Sequence, residues 1–162
     1  MSESKALEVI RALAELETTI GGLYGVFARC YPEDEEFWAK LSRQEGAHAR
    51  ILLGLIPLIE KGSIRFNTHH FDLMAIRLAG RSIESHAESA REKSPPVEDA
   101  LSLAMSIENN LLEANFFDVS HSRSPRFEKT VAVLEADTKR HREAIQRRLD
   151  VVRKRVPLGP GS

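Results

Sequence analysis

Cysteine is nearly missing from this chain. Cys30 stands alone among 162 residues, so no intramolecular disulfide can close and no CxxC metal knuckle exists. A reducing compartment fits that usage, and the cytoplasm is the expected location. Glycine and proline are scarce too, at 9 and 7, and they cluster. β-branched residues rarely alternate with polar ones, so strands have little to start from. Neither sign of charge dominates. Lys and Arg total 23 against 24 Asp and Glu, a formal charge of -1, which removes the electrostatic footprint of a dedicated nucleic-acid binder. No stretch approaches the roughly 20 apolar residues of a membrane span. The opening MSESKALEVIRALAELE mixes charge into its first turns, where a signal peptide would run basic and then apolar. What remains is a single all-α domain over 1–156, long enough to bury a core without disulfides.

The few breaks are well placed. Tyr31-Pro32-Glu33-Asp34, Lys61-Gly62-Ser63, Ser94-Pro95-Pro96 and Ser122-Arg123-Ser124-Pro125 carry the prolines of helix starts and the glycine of a helix end. They predict helices near 3–30, 33–61, 71–93, 96–120 and 125–155, a loop over 62–70, and a frayed tail over 157–162. Apolar residues recur three and four apart within each stretch. Reading inward-facing positions by that spacing gives Ile10, Leu13, Glu17, Ile20, Tyr24 and Phe27 on the first helix, and Trp38, Leu41, Glu45, His48, Leu52, Leu55 and Ile59 on the second. The 96–120 stretch gives Val97, Leu101, Ala104, Glu108, Leu111 and Asn115; the last gives Phe127, Val131, Leu134, Thr138, His141, Ile145 and Leu149.

Every one of these apolar seams is interrupted at mid-length by polar or ionisable residues. A carboxylate facing a helical core loses its hydration at a cost of several kcal/mol unless something compensates. Four helices with polar groups at the same depth can set those groups against one another in a single layer. A divalent iron, manganese or zinc ion is the natural partner of mixed carboxylates and imidazoles, and Glu45-x-x-His48 puts both ligand types on one helical face a turn apart. A lone Glu-x-x-His is unspecific. Context sharpens it: 28 residues separate Glu17 from Glu45 and 30 separate Glu108 from Thr138, with His48 and His141 each three residues later, as in a repeated helical hairpin.

At these residues the chain resembles the rubrerythrin branch of the ferritin-like superfamily, whose pattern is a Glu followed by Glu-x-x-His, repeated once. The first half reads LETTIGGLYGVFA then EGAHA; the second reads SIENNLLEANFF then LEADTKRHREAI. The resemblance implies a ferritin-like four-helix bundle of two antiparallel hairpins, with an additional helix in the long connection. It implies two irons, or a single ion, held by Glu17, Glu45, His48, Glu108 and His141, with Glu45 bridging and Tyr24 as a hydrogen-bond donor beside the centre. The implied activity is oxidation of ferrous iron or reduction of peroxide or dioxygen. Thr138 stands where the family has its second bridging Glu and offers only a neutral hydroxyl. The second ion is therefore expected to bind weakly or not at all, unless Asp137 rotates inward to replace the lost ligand; Glu135 points away. The rubredoxin-like module of rubrerythrins needs two CxxC pairs, so electrons would come from an external donor protein or from ferrous iron itself.

Each residue has a plainer reading as well. The polar layer could fix helix register without metal, leaving a non-enzymatic helical bundle that serves as a structural or interaction protein. Tyr24 could be a core aromatic whose hydroxyl finds a partner. His69-His70 reads as surface, His86 as solvated or interfacial, and Asp118-x-x-His121 as a helix end where a cation suits the dipole. Cys30 reads as a small buried apolar residue. The basic run Arg147, Arg148, Arg153, Lys154 and Arg155 reads as a solvated helix terminus. The 71–93 helix is amphipathic, and its small residues at 79, 80, 87 and 90 allow close approach to its own bundle or to a second subunit, homodimerisation being the default.

Overall fold

Local punctuation sets where each helix ends. The computed structural model of the protein describes residues 2–113 and 124–155. Asn115, Asp118, His121 and the tail 157–162 lie outside the described residues. The helices are α1 (Ser2–Cys30), α2 (Glu35–Leu53), α3 (Ile56–Glu60), α4 (Leu73–Glu92), α5 (Val97–Glu113) and α6 (Pro125–Arg155), with one 3-10 turn at Pro32–Asp34. No strand occurs among the described residues, so the chain is all-α. Among the described residues no helix is long and apolar enough to cross a membrane.

The expected second helix, 33–61, is divided. Pro57 has no N–H to donate to the carbonyl four residues back, and the Leu55 N–H turns to Leu52 O at 3.0 Å instead. The helix stops at Leu53 and restarts as α3. That short helix ends on Gly62 at φ 69, with Ser63 N–H donating to Leu58 O at 2.8 Å and Gly62 N–H to Ile59 O at 2.9 Å. This is the paired-bond helix stop that a left-handed glycine permits. Asp72 caps α4 by accepting from Ala75 N–H at 3.1 Å.

Cross-helix contacts give the directions. Tyr31 Oη donates to Pro95 O at 2.5 Å and Tyr24 Oη to Glu108 Oε1 at 2.6 Å, so α1 and α5 run antiparallel. Asp34 pairs with Arg148, and His48 with Asp137, which sets α2 antiparallel to α6. Arg153 pairs with Glu98 at 3.0 Å near one end of the α5–α6 pair. The basic run at the end of α6 is thus in part tied to other helices. Outside these four, α4 lies beside α1 in the same direction, with Cys30 Sγ donating to Ala90 O at 3.5 Å. Ile76, Ile83, Ala87 and Ala90 are buried on α4, whereas a Cβ at Gly80 would meet open space. Cys30 itself is half-buried, contrary to the expectation of a buried residue.

The core has two apolar clusters. One holds Ile20, Tyr24, Phe27, Trp38, Leu41, Ile145 and Leu149; the other holds Ile10, Leu52, Phe127, Val131 and Leu134. On α2 and α6 the change from one cluster to the other falls at the polar residues of the seam. Packing thus leaves a buried polar layer at mid-height.

Candidate metal centre

Gly21 determines how closely α1 and α2 meet at that layer. A Cβ there would lie 3.2 Å from Ser42 O and 3.3 Å from Glu45 Cβ, so any larger residue would push α1 and α2 apart by a few tenths of an ångström. Ser42 Oγ donates to Gly21 O at 2.7 Å and seals the contact one turn before Glu45. Sequence spacing gave no hint of this role for Gly21 and Ser42; a glycine facing the turn before a buried Glu is the signal that would have found it.

Glu17 from α1, Glu45 and His48 from α2, Glu108 from α5 and His141 from α6 all reach the layer, each at most 6% exposed. Glu45 is the hub. Its Oε2 lies 3.3 Å from His48 Nδ1 and its Oε1 lies 2.7 Å from His141 Nδ1. Glu17 Oε2 is 3.9 Å from His48 Nδ1, and Glu108 Oε2 is 3.8 Å from His141 Nδ1. The two imidazoles stack, with centroids 5.3 Å apart. Ligand atoms of Glu45, His48 and His141 can all lie within 4.8 Å of one another, close enough to hold one metal ion.

Hydrogen bonding tests whether a metal fits. Glu17 Oε2, Glu45 Oε1, His48 Nδ1, Glu108 Oε2 and His141 Nδ1 are buried without a hydrogen-bond partner among the described residues. Buried polar atoms are normally satisfied. Here each of the five residues contributes at least one such atom, and the short distances between them bring these atoms to a shared interior. A divalent cation would satisfy them together, and carboxylate oxygen with imidazole nitrogen is a donor set suited to iron, manganese or zinc.

Protonation keeps the metal-free layer nearly neutral. Burial, with Glu45 and Glu108 nearby, pushes the Glu17 carboxyl well above the usual carboxylate range. Burial and the charge on Glu45 raise Glu108 likewise, against the opposing hydrogen bond from Tyr24. Burial acts on Glu45 in the same direction, yet His141, His48 and Glu17 outweigh it and hold that carboxyl well below its ordinary value. Burial lowers His48, and Glu45 with Asp137 more than reverse this, so its pKa is raised. The Tyr24 hydroxyl is raised strongly by burial and by Glu108 and Glu45, and it stays a donor. Glu45 thus favours the ionised form between two carboxyls, Glu17 and Glu108, that burial pushes toward the protonated one.

Two neighbours of the seam behave differently from the sequence reading. Thr138 is buried, but its Oγ1–H donates to Leu134 O at 2.9 Å within its own helix. Asp137 does not turn into the ligand cluster. Its Oδ2 lies 3.3 Å from His48 Nε2, the ring nitrogen opposite the Glu45 side, and its Oδ1 is held by Arg140. Asp137 therefore positions an imidazole, since a carboxylate on Nε2–H fixes the tautomer that leaves the Nδ1 lone pair free.

Comparison with family models, curated proteins and solved structures finds no match. The residue pattern and the geometry carry the functional argument.

Proposed function

We propose that the chain is a ferritin-like, rubrerythrin-type iron protein. Glu17, Glu45, His48, Glu108 and His141 would hold the metal, which when bound would supply redox chemistry toward ferrous iron, peroxide or dioxygen. The observation that carries this reading is the convergence of five buried carboxyl and imidazole side chains whose facing atoms make no well-aligned hydrogen bond. The chain's own part is to exclude bulk water with the two apolar clusters, to orient His48 through Asp137, and to hold a hydroxyl proton on Glu108 through Tyr24. A cavity of about 20 Å³ beside Glu17, walled by Leu13, Leu16, Phe71 and Leu111, favours a very small oxidant over an organic substrate. With one cysteine, the protein would take electrons from an external donor or from its substrate iron. Anaerobic ferrous loading tests the proposal: the wild type should retain iron that a Glu45→Ala variant does not. Equal iron in the two proteins would refute it.

One observation favours a second reading. Thr138 spends its hydroxyl on its own helix, and the protonated Glu17 and Glu108 leave little net charge for a metal to offset. A metal-free polar layer that fixes helix register would show no rise in melting temperature with added metal, whereas a ligand of the native state must raise it by mass action.

The same proposal makes the protein a homodimer through α4. Arg77 and Arg81, then Glu84 and Glu88, place like charges four residues apart on exposed positions, an arrangement that weakens an isolated helix. A second copy packed antiparallel would set the basic half of each α4 against the acidic half of the other. It would also cover Met74 and Leu78, which are 68% and 54% exposed.

A further inference from the structure

His48 and His141 face each other across the layer, but their outer edges are finished differently. A neutral imidazole whose Nδ1 lone pair serves a metal carries its proton on Nε2, and that proton is regularly given to a carboxylate, a carbonyl or water. His48 Nε2 has Asp137 at 3.3 Å. His141 Nε2 is buried and has no hydrogen-bond partner among the described residues, on a side chain only 3% exposed. A buried donor left unpaired is costly.

That imidazole helps to line a cleft of about 300 Å³ between α2 and α6. Lys40 and Gln44 stand four residues apart on the α2 wall, and Arg140 and Arg147 seven apart on the α6 wall, so each pair shares one helical face. Arg140 is committed to Asp137. Lys40 and Arg147 make no ion pair, and the Gln44 amide no hydrogen bond, among the described residues. Glu143 is the one acidic residue of the lining. Two unpaired cations, a free amide and an unsatisfied imidazole surround a space of small-molecule size, and no acceptor among the described residues answers them.

We infer that this cleft is a binding site for a small oxyanion, whose oxygen accepts the proton of His141 Nε2 while Lys40 and Arg147 neutralise its charge and Gln44 donates a second hydrogen bond. Charge-assisted bonds of this kind are the strong ones. The bound anion does for His141 what Asp137 does for His48. It fixes the ring and raises the basicity of Nδ1, so anion and metal each tighten the other's binding by the same factor. The anion site rests on the proposed metal centre, since Glu45 Oε1 at 2.7 Å would otherwise draw the imidazole proton to Nδ1.

Sulfate, titrated against chloride at constant ionic strength, is the probe, and the imidazole ¹⁵N resonances of the full chain are read with and without zinc. A saturable shift at His141, absent at His48 and reached at lower sulfate when zinc is bound, is the expected result. Lys40→Gln combined with Arg147→Gln should weaken sulfate at least about tenfold with zinc stoichiometry unchanged, which also shows that the variant is folded. No saturable shift in the wild type, or equal sulfate affinity in the double variant, overturns the site. Zinc uptake without sulfate binding overturns the anion site alone, and a chain that takes up no zinc overturns the metal proposal on which the site rests.

Discussion

Single side chains set the pH behaviour of the metal-free protein. Glu17, Glu108 and His48 all have folded pKa values above their ordinary ones. A group raised on folding adds stability that is complete below its ordinary pKa and is lost as the pH climbs through the folded value. Glu45, held low, works in the opposite sense, but its contribution is already complete above the ordinary carboxylate range. The metal-free protein should therefore lose stability as the pH climbs out of the ordinary carboxylate range and through the raised values of these groups. Metal binding needs the deprotonated ligands and releases their protons. The gap in melting temperature between zinc-loaded and metal-free protein should widen over the same interval, by scanning calorimetry; a gap that narrows would contradict the assignment of these ligands. Asp137 acts one step further out. Asp137→Ala should lower zinc affinity by about 10- to 100-fold while leaving the number of ions unchanged, and Asp137→Asn, which keeps an acceptor for His48 Nε2–H, should restore part of it. A drop in stoichiometry would make Asp137 a ligand.

Among the helices, the approach of α1 to α2 is the contact on which the layer depends. Gly21 and Gly22 are neighbours with opposite surroundings: one faces Ser42 O and Glu45 Cβ, and the other has nothing within 4 Å. Gly22→Ala should stabilise by about 0.5–1 kcal/mol, the helix-propensity gain of alanine over glycine. Gly21→Ala receives the same gain but must displace a backbone carbonyl and the hub carboxylate's Cβ, crowding that costs about 1–3 kcal/mol. Chemical denaturation should therefore rank the two variants on opposite sides of the wild type, and Gly21→Ala should also weaken zinc binding because Glu45 moves. The long helices were legible because their signals are local: Pro125 opens α6, Gly62 closes α3, and Asp72 precedes α4. The division at Gly54 was missed because the apolar spacing runs unbroken through Leu52, Leu55 and Ile59, all of them buried.

For the whole molecule, assembly is the open prediction. Sedimentation equilibrium should show a dimer at micromolar concentration. Arg77→Glu with Arg81→Glu should give monomers by setting acid against acid, and adding Glu84→Arg and Glu88→Arg should bring the dimer back, a rescue that misfolding cannot imitate. A monomeric wild type would remove α4 as the interface. The sequence by itself determined the long helices apart from the break near Gly54, most of their inward faces and the identity of the five candidate ligands. Those follow from spacing along a rigid helix and from the cost of burying charge, both of which act within one element. Only the tertiary structure decided that Glu45 is the hub, that Thr138 is spent on its own helix, that Asp137 serves His48 from outside, and that His141 backs onto a cationic cleft. Each of these depends on which faces of helices remote in sequence meet and at what register, and no spacing within a single helix encodes that.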